Sequence, residues 1–132
     1  MSQSSKLPQL LSSLAKEDYC YLTTTGRLSG KPHEIEIWFA AQNNTLYLLS
    51  GDGRSDWVKN LRKNPSVTVR IANQTFAGSA RIVQDDQEET VSRHMLADKY
   101  QEREADGSLS EWAQTALPVA VDLISSVTKE TS

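Results

Sequence analysis

The 132 residues carry a net charge of −3, with 38% hydrophobic and 23% charged side chains, the proportions of a folded globular chain rather than a disordered or fibrous one. No apolar run approaches the roughly 18 residues of a membrane span, residues 1–6 lack the basic-then-apolar order of a secretion signal, and a lone cysteine, Cys20, rules out an internal disulfide and suits a reducing cytoplasm. Residues 1–84 hold ten Lys/Arg and six Asp/Glu, residues 85–132 four and eleven. The front of the chain therefore suits an anionic small molecule, and the acidic back argues against a nucleic-acid face.

Leu7, Leu10, Leu11 and Leu14 recur at helical spacing, which predicts a short helix over 7–18. The aromatic and β-branched run 19–25 reads as a strand, with Cys20 in it as a buried structural thiol rather than a nucleophile. After a turn containing Gly26 and Gly30, residues 33–41 alternate as one strand, with Ile35, Ile37 and Phe39 opposite Glu34, Glu36 and Trp38. Gln42-Asn43-Asn44 is a hairpin loop, and 45–50 is the return strand. Gly51-Asp52-Gly53 breaks the sheet, and Ser55 stands where a helix cap belongs. The helix turns Trp57, Val58 and Leu61 inward and stops at Asn64-Pro65. Strands are predicted over 66–71 and 75–83, with Gly78 marking a bend or a close approach. Asp85 and Glu88 have capping-box spacing for a helix whose inner face carries Val91, Met95, Leu96 and Tyr100. A shorter helix over 108–116 is anchored by Trp112, a last strand covers 118–125, and 128–132 reads as a frayed tail.

These elements make about six strands joined mostly by hairpin-length loops, without regular alternation with long helices. The fold class is mainly β with flanking helices (α+β), a small antiparallel barrel in a single domain spanning 1–132.

The chemistry concentrates in Thr23-Thr24-Thr25-Gly26-Arg27-Leu28-Ser29-Gly30-Lys31-Pro32. Glycines let a backbone bend tightly, successive N–H groups in such a turn can form an anion-binding concavity, and Arg27 and Lys31 add charge suited to phosphate. The bland reading of both cations is solvated turn residues. His33 with Glu34 or Glu36 lacks a third ligand at metal-binding spacing, so no metal site is expected. No catalytic dyad is visible either.

This run is similar to the signature of the deazaflavin-dependent nitroreductase and quinone reductase family, as is the spaced set Ser50, Gly51, Gly53, Trp57, Asn60, Leu61, Asn64 and Pro65. That family belongs to the split β-barrel, FMN-binding-like superfamily that includes pyridoxamine-phosphate oxidases. The resemblance implies an oxidoreductase that passes hydride from reduced coenzyme F420, with FMN as the alternative, to a quinone, nitroaromatic or activated enone. It implies that Arg27, Ser29, Gly30, Lys31 and His33 hold the cofactor's phosphate end. Ser50, Gly51, Asp52 and Gly53 would lie along the ring edge, with Trp57 beside the ring. The chain departs from the family pattern at His33, where many members carry Arg, and at Asp52, where many carry Lys. A homodimer and a small-molecule acceptor follow from the same likeness, and the lone cysteine points to a cytoplasmic location. A non-catalytic flavin or haem-type binder on the same barrel is the alternative function.

Local readings remain beside these. Trp57 is a core anchor or a ring partner. Trp38, on the face of Glu34 and Glu36, lines a dimer interface or the cofactor cleft. Tyr100 packs its helix or touches substrate in the same pocket as Trp38, and Asn60 and Asn64 cap or terminate a helix.

Overall fold

A computed structural model describes residues 6–51 and 53–127. The tail expected over 128–132 and the role expected for Asp52 lie outside the described residues. The elements run α1 (Lys6–Leu14), β1 (Cys20–Thr25), β2 (Pro32–Ile37), β3 (Ala40–Gln42), β4 (Thr45–Ser50), α2 (Asp56–Lys63), β5 (Ser66–Ile71), β6 (Gln74–Ile82), α3 (Asp86–Tyr100), α4 (Glu111–Thr115) and β7 (Leu117–Val127).

The strands form one antiparallel sheet in the order β2-β1-β5-β6-β7-β4-β3. Its two outermost strands are consecutive in the chain, separated by Trp38 and Phe39 alone. Such a link reaches no further than about 11 Å, so the sheet must curl until its edges approach one another at that corner. The result is a half-barrel, with seven strands where about six were expected. The extra strand comes from the predicted strand over 33–41, which is two. Cys20 pairs with Ile37, and Ala40 pairs with Tyr47, so the chain changes partner between them. The alternation of Ile35, Ile37 and Phe39 runs straight through the corner, which is why periodicity alone does not reveal it.

Alternation sorts β4 and β7 between two cores. Leu46, Leu48, Val119, Val121 and Leu123 face the barrel interior with Leu22, Val69, Phe76, Trp57, Val58 and Leu61. Tyr47, Leu49 and Ala120 face outward, where Leu96 of α3 and Ala116 cover them, flanked by Met95, Tyr100 and Trp112. A strand covered on both faces reads as nearly continuous apolar sequence, and Leu46 to Ser50 are all buried. Gly78 has both expected features. The register between β6 and β7 shifts at Ala77/Gly78, and a methyl group on Gly78 would stand 2.7 Å from Val121 Cγ1.

Two helices are shorter than expected. The apolar stripe of α1 ends at Leu14, and Lys16, Glu17 and Asp18 beyond it are exposed. Ser110 Oγ accepts from the Ala113 N–H and starts α4 late, because Ser108 is engaged with Asp106 and Leu109 bridges to Arg103. No helix among the described residues is long and apolar enough to cross a membrane.

Candidate functional site

The turn between β1 and β2 is closed from within. The Gly26 N–H donates to Lys31 O (2.7 Å), and the Gly30 N–H donates to Gly26 O (2.8 Å). The Lys31 N–H donates to Ser29 Oγ (3.1 Å), and the Arg27 N–H donates to Asn60 Oδ1 (3.1 Å). Four amides of the turn are therefore engaged inside the protein. These four are committed internally, so less of the expected N–H concavity is open to an anion and more of the attraction falls to side chains. A methyl group on Gly26 would stand 2.6 Å from Ser29 Oγ and 2.7 Å from His33 Nε2, so only glycine allows Ser29 and His33 to close over the backbone here.

Helix α2 clamps this turn. Asn60 is 3% exposed. Its Oδ1 accepts from both the Arg27 N–H and Arg27 Nη1 (2.9 Å), and its Nδ2 donates to buried Thr24 Oγ1 (3.1 Å). Arg27 Nη2 pairs with Asp56 Oδ1 at 3.2 Å, and Lys63 Nζ donates to Arg27 O at 3.2 Å. Arg27 is thus partly committed to α2, while Lys31 stands exposed. The sequence places Asn60 in the family's spaced set with a local role in capping or ending a helix, and does not single out Lys63. The signal in the sequence was their position on the helix face that also carries Asp56.

The second motif reaches the same helix. Ser50 is 3% exposed at the end of β4, and its Oγ lies 3.0 Å from Ser55 Oγ. Ser55 occupies the N-cap position expected for it, but its hydroxyl does not bond the helix N–H groups. Gly51 is exposed, and a methyl group there would meet nothing within 4 Å. Gly53 lies against Leu117. Trp57 points into the barrel core at 9% exposure, leaving little of its surface for a ligand. Helix α2 therefore joins the two motifs, with Asp56 and Asn60 on the turn and Ser55 on the loop.

A groove of about 450 Å³ lies at the corner between β2 and β3, lined by Glu36, Ile37, Trp38, Leu49, Glu102 and Trp112. Leu49 directly precedes Ser50. Trp38 is 42% exposed. It stacks on Tyr100 (centroids 4.1 Å apart, planes at 1°) and stands perpendicular to Trp112 (5.6 Å, 89°). Tyr100 stands behind Trp38 rather than in the groove wall. Its hydroxyl donates to Asp18 O (2.7 Å) and lies 3.0 Å from both the N and the O of Phe39. Burial pushes its pKa up to about 12. Lys99 Nζ donates to Phe39 O at 2.9 Å and sits over the Phe39 ring, and burial lowers its pKa to about 8. The Cys20 thiol is fully buried and pushed up to about 12 by burial, which keeps it protonated and inert, as expected of a structural thiol. Of the groove residues, the sequence singled out Trp38 as a pocket residue. Trp112 is expected to pack its helix and Glu36 to share the face of Trp38, while Leu49 and Glu102 are not expected as lining.

Residues 3–123 match the model of the F420H(2)-dependent quinone reductase family. The chain belongs to that family. A search of functionally curated proteins returns no significant match. Among solved structures, the chain is similar to a candidate pyridoxamine 5′-phosphate oxidase from Listeria innocua (19% identity, 96% of this chain and 97% of that one, TM-score 0.70). It is also similar to an F420-H2-dependent reductase (21%, 79% and 93%, 0.62) and to the haem storage protein HutZ from Vibrio cholerae (17%, 91% and 94%, 0.66). At these identities the likeness shows the fold, which is the expected split barrel.

Coenzyme F420 is the cofactor of the F420H(2)-dependent quinone reductase family, and the chain's own residues suit it. Arg27, Lys31 and Lys63 gather at one turn, where they would hold an anionic tail. The open backbone at Gly51, two residues after the groove residue Leu49, would leave room for a flat ring.

Proposed function

We propose that this chain is an F420-dependent reductase of small electron-poor acceptors. The observation that carries the reading is helix α2, which ties the cationic turn to the Ser50–Ser55 loop through Arg27, Asn60 and Ser55. Arg27 and Lys31, with Ser29, Gly30 and His33 around them, hold the anionic tail. Ser50, Gly51 and Gly53 border the ring, and amides of that loop offer hydrogen bonds where charge develops. Trp38 and Trp112 shape the acceptor side and exclude water. Bound there, the reduced cofactor supplies hydride to a quinone, nitroaromatic or activated enone. The protein's part is position and electrostatics.

The test is a titration of the pure protein with F420, FMN and haemin under tryptophan fluorescence, followed by turnover with a soluble quinone. Saturable binding of F420, weaker binding of FMN and consumption of reduced F420 with the quinone are expected. No saturable change with F420 removes the reading. Tight haemin binding without turnover replaces it with the carrier function.

A further inference from the structure

The groove beside Leu49 carries a charge pattern that the reductase reading does not use. Two of its six lining residues are carboxylates, Glu36 on β2 and Glu102 beyond α3, and none is Lys, Arg or His. Among the described residues neither carboxylate stands in an ion pair. Glu36 Oε1 accepts from the Tyr21 hydroxyl (3.2 Å), and Glu102 Oε1 accepts from the Ser110 hydroxyl (2.8 Å). Both bonds orient the groups without cancelling their charge. Nearby cations are engaged elsewhere. Arg70 pairs with Glu34 and lies over the Tyr21 ring, Arg103 pairs with Asp98, and Lys99 binds Phe39 O.

The walls add to the same field. Trp38 and Trp112 stand at right angles, and Trp38 is held flat from behind by Tyr100. The face of an indole is the negative end of its quadrupole and attracts a cation laid over it. A volume of about 450 Å³ takes a two-ring aromatic.

We propose that this groove selects its planar aromatic ligand by charge, accepting an electron-poor ring that bears a positive charge and rejecting the same ring bearing a carboxylate. The assignment of that ligand as the hydride acceptor rests on the reductase reading; the charge preference stands on the groove alone. A cationic ring gains from Glu36, Glu102 and the indole π-systems that line the groove, whereas an anionic ring of equal shape meets repulsion from the two carboxylates.

Calorimetric titration at pH 7 of N-methylquinolinium and 2-naphthoate, planar two-ring probes of opposite charge, tests this. The cation is expected to bind at least tenfold tighter than the anion, with the ratio narrowing as salt is raised. The Glu36→Gln/Glu102→Gln double variant is expected to bring the ratio to within about threefold, its fold being verified by circular dichroism and its unfolding midpoint. Equal affinities in the unaltered protein, a preference for naphthoate, no binding of either probe, or a ratio unmoved by the double substitution each overturns the proposal. An F420 titration on the same samples separates the two readings. F420 binding with no charge preference sinks only this inference, and charge preference without F420 binding sinks only the reductase.

Discussion

Strand β2 leaves the cationic turn at Pro32 and runs into the aromatic corner at Ile37, and its two ends are secured by different physics. At the first end, a single buried amide, Asn60, answers Arg27 twice and Thr24 once. At the second, stacked rings and backbone bonds from Tyr100 and Lys99 hold Trp38 and Phe39 against α3. A polar clamp in a low-dielectric site fails as a unit, because each partner left behind is a buried unsatisfied group. An aromatic stack resting on contact area weakens by degrees. The cationic end should therefore respond steeply to one substitution, and the aromatic end gradually to several.

Asn60→Leu is the strongest way to break that contrast. It fills the volume but leaves the Arg27 N–H and Thr24 Oγ1 unanswered. The expected loss is about 2–4 kcal/mol of stability in urea unfolding, with F420 affinity falling too. A loss under about 1 kcal/mol would mean that the turn does not depend on this amide.

Glu88→Gln tests the aromatic end through its helix. Glu88, in the first turn of α3, accepts two bonds from Arg81 and one from the Tyr47 hydroxyl (2.8, 2.7 and 2.6 Å). The Arg81 guanidinium, then Tyr47, holds its pKa down from 4.5 to about 2. Because the folded carboxyl has the lower pKa, its stabilisation is full above about pH 4.5 and is lost as the pH falls towards 2. The variant should be less stable by about 1–2 kcal/mol at pH 7, and the gap should close as the pH approaches 2. Unfolding curves from pH 7 down to 2.5 check this; a gap that stays constant would mean that the ionised carboxylate is not what anchors α3.

Several features were legible in the sequence because local chemistry fixes them. Asn64-Pro65 ends α2, Asp85 with Glu88 opens α3, and the cap bond from the Glu88 N–H to the Asp85 side chain forms at 2.8 Å. The glycine turn and the Ser50–Gly53 loop stood out by composition, and the family likeness placed them in one site. The corner at Trp38 was not legible, since side-chain alternation continues while the hydrogen-bond partner changes from β1 to β4. Nor was the role of Asn60, because its partners, Thr24 and Arg27, stand 36 and 33 positions away and only the closed sheet brings them to α2. The meeting of Glu36 with Glu102 in the groove is not legible for the same reason. Glu36 shares the face of Trp38 on its strand, Glu102 stands 66 positions further on, and only the curl of the sheet sets both beside Leu49.

A smaller effect is expected from Tyr100→Phe, which keeps the stack on Trp38 and removes the hydroxyl bonds to Asp18 and Phe39. A loss of about 1 kcal/mol in stability is expected, with aromatic near-ultraviolet dichroism largely retained. A collapse of that signal would mean that the hydroxyl, and not the stack, positions Trp38, and the two ends of β2 would then be held alike.

Asp56→Asn gives the finest discrimination. The Asp56 side chain is 86% exposed, so its pair with Arg27 should contribute less than about 1 kcal/mol to folding. Asp56 nevertheless competes for the guanidinium that an anionic tail needs. Freeing Arg27 Nη2 while Asn60 still holds Nη1 should raise F420 affinity a few-fold and leave the unfolding midpoint almost unchanged. Arg27→Ala should act in the opposite direction and weaken binding by about 1.5–3 kcal/mol. If Asp56→Asn instead lowers affinity, the carboxylate orients Arg27 more than it neutralises it, and the clamp on the cationic turn extends past Asn60 to the start of α2.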